Sequence, residues 1–239
     1  MTRMFGTDGV RGVANRELTP ELAYAIGVAA SIALTDQTAH KPTFVVGSDT
    51  RISCGMLTAA LVAGLTSAGA DVIDAGVIAT PGVAWLTRDL HADAGVMISA
   101  SHNTFEYNGI KIFSGRGFKL PDDVEDAIEA LIRDGTVQDR VRPEGDRVGR
   151  VSRYPEGADR YREHLHNMAG VDLSGMRIVV DCANGASYRT APRLFRELGA
   201  DVDLVGAEPN GYNINDRCGS THVESLCRRV LETGADIGL

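Results

Sequence analysis

The sequence has few cysteines and no long apolar run. Its four cysteines are scattered through 239 residues, which is typical of a protein from a reducing compartment rather than of a disulfide framework. Cys218, His222 and Cys227 lack the paired C-x-x-C spacing of a structural zinc site. No stretch of about 18 consecutive apolar residues occurs, and the first residues contain no signal-peptide run. We therefore expect a cytoplasmic protein that has no membrane partner.

The sequence also lacks an excess of basic residues. Lysine and arginine number 24 against 32 acidic residues, a formal net charge of −8, which disfavours nucleic acid as the main partner. With 44% apolar and 23% charged residues, the composition is that of a folded globular protein with an ample core.

The apolar pattern alternates between helix and strand. Helices are predicted over residues 19–34, 53–68, 80–90, 121–133, 155–168 and up to 198. Strands are predicted over residues 43–47, 71–74, 94–99, 177–181 and 201–205, with an edge strand over 110–113. This order predicts an α/β fold with a mixed, largely parallel sheet sandwiched by helices.

Two domains are predicted on either side of a charged linker over residues 134–153: domain 1–150 and domain 151–239. Residues 69–72 (GADV) recur as 199–202, and residues 92–96 (ADAGV) resemble 235–239 (ADIGL). The chain is thus predicted to form two consecutive similar α/β units, of which the second is incomplete. By this comparison Leu239 lies five places before the equivalent of Ser101.

Residues 95–103 (GVMISASHN) are the strongest candidate for chemistry, because a buried strand ends there in a polar loop. Ligands of α/β proteins collect at such carboxyl ends. His102 is badly placed to deprotonate its neighbour Ser101, and there is no G-x-S-x-G elbow, so serine-hydrolase chemistry is a weak alternative. A serine that carries a phosphoryl group would need cationic neighbours and usually a divalent metal.

Candidate cations are Arg11, Arg51, His102 and Lys111. Glycines 6, 9 and 12 would let backbone amides approach an anion, although ordinary turns with solvated arginines explain each feature singly. Lys111 is either a charge that an edge strand exposes to solvent or a general base.

Six stretches together resemble one known family. They are residues 5–15 (FGTDGVRGVAN), 47–53 (GSDTRIS), 98–103 (ISASHN), 107–111 (YNGIK), 211–215 (GYNIN) and 218–222 (CGSTH). The sequence resembles the bacterial phosphoglucosamine mutase branch of the α-D-phosphohexomutase superfamily, over essentially the whole chain. Members of this family have four domains, so the chain would supply the first and most of the second.

The resemblance implies a role for each candidate residue. Ser101 would be the phosphoserine, Arg11 and Arg51 would bind phosphate, Lys111 would be the general acid or base, and His102 would position the loop. One Mg²⁺ per active site would contact the phosphate on Ser101 and three aspartates of a D-G-D-x-D loop that lies beyond Leu239. The reaction would interconvert glucosamine 6-phosphate and glucosamine 1-phosphate through a 1,6-bisphosphate, on the route to UDP-N-acetylglucosamine and the cell wall. The resemblance also favours a homodimer.

Two positions depart from the family pattern. Thr104 replaces a usual proline, which predicts a less rigid loop, and Cys54-Gly55 stands where glycine is usual at position 54. Residues 1–239 alone are expected to bind magnesium poorly and not to turn over. The alternatives are a phosphomannomutase or phosphoglucomutase, and a non-catalytic phosphosugar-binding module.

Overall fold

A computed structural model of the chain describes residues 4–6, 9–35, 40–135, 137 and 142–239. The strands are β1 (Val10–Val13), β2 (Thr43–Ser48), β3 (Asp71–Val77), β4 (Ala94–Ile98), β5 (Tyr107–Ser114), β6 (Val151–Arg153), β7 (Arg177–Asp181), β8 (Asp201–Val205) and β9 (Ile237–Gly238). The helices are α1 (Pro20–Thr35), α2 (Cys54–Ser67), α3 (Thr80–Asp89), α4 (Asp122–Arg133), α5 (Gly157–Ala169), α6 (Thr190–Glu197) and α7 (Glu224–Thr233). Within the described residues, no helix combines the length and the apolar character that crossing a membrane requires.

The first sheet has the strand order β1-β5-β4-β2-β3-β6. Strands β4, β2, β3 and β6 run parallel, whereas β5 is antiparallel to both of its neighbours. The predicted mixed, largely parallel sheet is confirmed. The prediction of an edge strand over 110–113 is wrong, because β1 covers the outer side of β5 and pairs Val10 with Ile110.

Both faces of this sheet are buried, which explains the apolar strand sequences. On one face Val46 packs into a cluster with residues of α1, α2 and α4, and on the other its neighbour Val45 packs with α3. Helices α1 and α2 cross closely at Gly64, where an added Cβ would lie 2.2 Å from the carbonyl oxygen of Tyr24. The predicted cap of α1 is present, since Leu22 N donates to Thr19 Oγ1 at 3.3 Å.

The second sheet, of order β8-β7-β9, repeats the β3-β2-β4 part of the first. Thr43 N donates to Asp93 Oδ2 at 2.8 Å, and Arg177 N donates to Asp236 Oδ2 at the same distance. Each aspartate N in turn donates to the carbonyl of its partner residue at 2.9 Å. The internal repeat is therefore confirmed by matching hydrogen bonds in the two units.

The predicted linker is partly wrong. Its last three residues form β6, which pairs with β3 and places Val151 opposite Val72. All three residues of β6 are exposed, so they show no apolar alternation that would reveal a strand. Helix α5 also packs against the first unit through Tyr161. The division at 150/151 stays a prediction.

Candidate functional site

Ser101 lies on a loop that leaves the carboxyl end of β4, which we call the serine loop (residues 99–104). Its side chain is exposed and its backbone has a φ of 56°, a left-handed conformation that is uncommon outside glycine. Ser101 N donates to Ser99 Oγ at 3.0 Å, and Asn103 N donates to the Ala100 carbonyl at 3.2 Å. The loop thus presents a serine hydroxyl from a strained and well-bonded turn.

Arg51 supports the serine loop from below. Its Nη2 donates to the carbonyl oxygens of Ser101 at 3.1 Å and of Asn103 at 2.6 Å. Its Nη1 pairs with Asp49, and the guanidinium side chain is wholly buried. Arg51 therefore supports the backbone of the serine loop, and its predicted contact with phosphate stays a prediction.

A buried polar network extends below Arg51. Asp49 Oδ1 accepts hydrogen bonds from Arg51 N at 3.0 Å and from the Cys54 thiol at 3.1 Å. Asn108 Nδ2 donates to Cys54 Sγ at 3.4 Å and to Ser53 Oγ at 2.9 Å. Burial, followed by the Asp49 charge, raises the pKa of Cys54 to about 12, so the thiol stays protonated and can donate. Cys54 therefore has a bonding role in the support of the site.

The second unit also contacts the serine loop. Residues 206–223, which we call the bridging loop, connect β8 to α7. Asn215 Nδ2 in this loop donates to Ser101 O at 2.9 Å and to Asn103 O at 2.8 Å. The sequence did not single out three of these residues as part of the site: Asn215, Asp49 and Asn108. For Asn215, the polar composition and the length of the bridging loop were the available signal.

Further contacts join the bridging loop and its surroundings to the first unit. Ile52 N donates to the Gly211 carbonyl at 3.0 Å, and the rings of Phe105 and Tyr212 meet edge to face at 5.5 Å. Thr50 Oγ1 donates to the Asn184 carbonyl at 2.5 Å. The site is thus built where the two units meet.

Arg11 and Lys111 lie on one face of the first sheet. Arg11 in β1 is opposite Gly109 in β5, and Lys111 follows two residues later and is opposite Met97 of β4. Because side chains alternate along a strand, both cations project to the same side. Glycine is needed at position 109, since an added Cβ would lie 2.7 Å from the Ser99 carbonyl oxygen and 3.0 Å from Arg11 Cγ. The explanation that Lys111 is a charge exposed by an edge strand is wrong, because β5 has a neighbouring strand on each side.

The remaining predicted site features have mixed outcomes. His102 is exposed, and no hydrogen bond joins its side chain to another described residue. Gly6 N and Gly9 N donate to each other's carbonyls at 3.1 Å, so these amides do not form the predicted anion nest; residues 7 and 8 lie outside the described residues.

Thr104 donates to Glu106, and this hydrogen bond is the main cause that lowers the pKa of the Glu106 carboxyl. The loop therefore gains a local bond at the position of the expected proline.

The chain is similar to known proteins of one family. The family model described as phosphoglucomutase/phosphomannomutase, alpha/beta/alpha domain I, matches residues 2–139. Phosphoglucosamine mutases from Acetivibrio thermocellus and a Thermoanaerobacter species are 53% and 56% identical over 239 residues, which is 100% of this chain and 53% of each relative. The chain thus spans about half the length of the curated relatives it matches.

A solved structure shows the same architecture. A phosphoglucomutase/phosphomannomutase family protein from Burkholderia thailandensis superposes with a TM-score of 0.83 at 27% identity, over 99% of this chain and 51% of that one. The family model alone covers more than half of the chain. The chain belongs to the phosphoglucomutase/phosphomannomutase family.

Proposed function

We propose that the protein is a phosphoglucosamine mutase that interconverts glucosamine 6-phosphate and glucosamine 1-phosphate, on the route to UDP-N-acetylglucosamine and the cell wall. The observation that carries the proposal is the exposed Ser101 at φ 56°, on a loop whose carbonyls are held by two buried donors. Such a strained residue persists only where its surroundings hold it, and it is commonly functional. The similarity to phosphoglucosamine mutases over the whole chain supports the choice of sugar.

In the proposed reaction, Ser101 carries a phosphoryl group and transfers it to a hydroxyl of the bound sugar monophosphate. The P–O bond to Ser101 breaks, a P–O bond to the sugar forms, and the proton of the sugar hydroxyl passes to the released Ser101 oxygen. The resulting 1,6-bisphosphate turns over and returns its other phosphoryl group to Ser101. Arg11 would hold the phosphoserine and Lys111 would move the hydroxyl proton, a role supported by their shared face of the sheet. His102 would position the loop.

Magnesium is proposed as the cofactor, since charge on a transferring phosphoryl group needs a divalent cation. A phosphate on Ser101 would supply oxygen ligands. The described residues contain no group of three or more histidine, cysteine or acidic side chains able to hold a metal, and Asp49 is already paired with Arg51. These residues do not complete a magnesium site.

The test is Ser101→Ala in the protein in its natural length, assayed by ³¹P NMR on glucosamine 6-phosphate. We expect turnover to be lost. Ser114→Ala is the matched control and should keep full activity. Among the described residues, Ser114 Oγ bonds only to the Phe118 carbonyl, at the end of β5 far from the serine loop. Turnover that survives Ser101→Ala would refute the proposal.

The same experiment separates the alternatives. A non-catalytic phosphosugar-binding module would show no turnover in the unmodified protein and would keep its affinity in Ser101→Ala. A phosphomannomutase or phosphoglucomutase would lose turnover in Ser101→Ala as well, but would prefer mannose or glucose phosphates in competition.

We further propose that residues 1–150 and 151–239 belong to separate domains, and that the protein works as a homodimer in the cytoplasm. The resemblance to the family supports these proposals, and the presence of two separate sheets supports two units, the first of which includes β6. Light scattering and cell fractionation test the last two.

A further inference from the structure

Two backbone carbonyls of the serine loop each accept two hydrogen bonds from buried side chains. Ser101 O accepts from Arg51 at 3.1 Å and from Asn215 at 2.9 Å. Asn103 O accepts from the same two side chains at 2.6 and 2.8 Å. Both lone pairs of each oxygen are therefore used. One of the two donors belongs to the first unit and the other to the second.

Asn215 is itself held firmly. It is 6% exposed and has a φ of 58°, a conformation that asparagine tolerates better than most residues. Its backbone N donates to the Ala183 carbonyl at 2.9 Å, just beyond the end of β7. Gly219 packs over it, where an added Cβ would lie 3.1 Å from Asn215 Oδ1. Gly219 N in turn donates to Asp181 Oδ2 at 2.7 Å. A continuous set of bonds thus joins the end of β7 to the Ser101 carbonyl.

We infer that Asn215 is a positioning residue for phosphoryl transfer, which holds Ser101 in its reactive conformation only while the bridging loop is docked. This inference rests on the proposed function and adds a required contribution from the second unit to the site of Ser101. The Asn215 carboxamide donates to loop carbonyls and leaves the Ser101 hydroxyl to the substrate. Its loss should therefore lower the rate of transfer more than the affinity for the sugar phosphate.

The competing explanation is that Asn215 merely fastens the two units together. The two explanations differ in what changes when the amide donor is removed. A fastening contact would alter the stability of the fold, with activity falling only as far as the protein unfolds. A positioning contact would alter kcat in fully folded protein, because a displaced reacting group loses its alignment.

The test is Asn215→Asp in the protein in its natural length, because aspartate keeps the size of the side chain but turns an oxygen toward the two carbonyls. We expect kcat to fall roughly 10- to 100-fold, as for a reacting group displaced by about an ångström, with KM changed less than about threefold and a shifted ³¹P resonance of the phosphoserine. Asn215→Gly is the second variant. It keeps φ 58° without strain while it removes the amide, so it should show the same loss if Asn215→Asp fails to fold.

Asn213→Asp is the matched control. Asn213 lies two residues earlier in the bridging loop, and within the described part of the chain its side chain bonds only to Glu208 O and Asn210 N. It should keep kcat and the ³¹P resonance of the unmodified protein. The inference is overturned if both Asn215 variants keep kcat within about twofold, or if Asn213→Asp lowers kcat as much as they do. If Ser101→Ala loses turnover while the Asn215 variants keep kcat, this inference alone is refuted. If Ser101→Ala keeps turnover, the proposed function is refuted.

Discussion

The buried pair of Asp49 and Arg51 should be the most sensitive polar contact of the site to substitution. The side chains of Arg51 and Asp49 are 0% and 3% exposed. Asp49→Asn removes the negative charge and keeps the shape, so the guanidinium is left buried without its counter-charge. Arg51 cannot lose its proton to escape this penalty.

Breaking a buried pair by removing one partner costs about 3–5 kcal/mol. Arg51 keeps its bonds to the Ser101 and Asn103 carbonyls, which places the expected loss of unfolding free energy near the lower end, about 3 kcal/mol. This corresponds to a factor of roughly 150 in the ratio of folded to unfolded protein. It is a large part of the 5–15 kcal/mol typical of a folded domain.

Urea denaturation followed by tryptophan fluorescence measures this loss, since Trp85 is the single tryptophan of the sequence. The control is Arg193→Ala, which breaks a pair with Asp159 in which both side chains are more than half exposed; we expect no measurable change. A loss below about 1 kcal/mol in Asp49→Asn would refute the reasoning, because it would mean that water or another group compensates Arg51.

Two further predictions concern helix packing and thiol chemistry. Gly64→Ala should lower the free energy of unfolding by about 1–3 kcal/mol, because the added methyl group overpacks the crossing of α1 and α2. Gly55→Ala in the same helix should raise it by up to about 1 kcal/mol, since nothing lies within 4 Å of the added Cβ. Urea denaturation measures both variants, and equal effects would contradict the close contact at Gly64. With a thiol reagent at pH 8, the exposed Cys227 should react while the folded protein protects the others, because burial raises the pKa of Cys54 to about 12 and of Cys182 to about 11, and also raises that of Cys218. Rapid labelling of all four before unfolding would contradict the described burial.

Most helices and strands can be predicted from the sequence, because the apolar pattern and the residues that begin or end a helix lie within the element itself. Thr19-Pro20 marks the start of α1, and Gly69, with a φ of 101°, follows the end of α2. The two strands that the sequence did not predict depend on pairing with distant parts of the chain. Strand β1 is a four-residue stretch inside a polar, glycine-rich opening, so its pairing with β5 has no local signal. The exposed strand β6 carries none either.

The site was predictable to the extent that it lies on one strand end. Ser101 and Lys111 follow from the abrupt change from apolar strand to polar loop and from a lone cation on an apolar strand. Arg51 was singled out for its charge, but the partners that define its role, Asp49 and the loop carbonyls, are brought to it by folding. Asn215 is 114 residues from Ser101, and a residue at that separation gives no spacing signal.

Peptide mass spectrometry of the protein isolated from its own cells tests most directly whether Ser101 carries the phosphoryl group. We expect phosphate on the Ser101 peptide, which is removed when the protein is incubated with excess sugar monophosphate and restored by glucose or glucosamine 1,6-bisphosphate. A Ser101 peptide that carries no phosphate, before and after incubation with the bisphosphate, would contradict it.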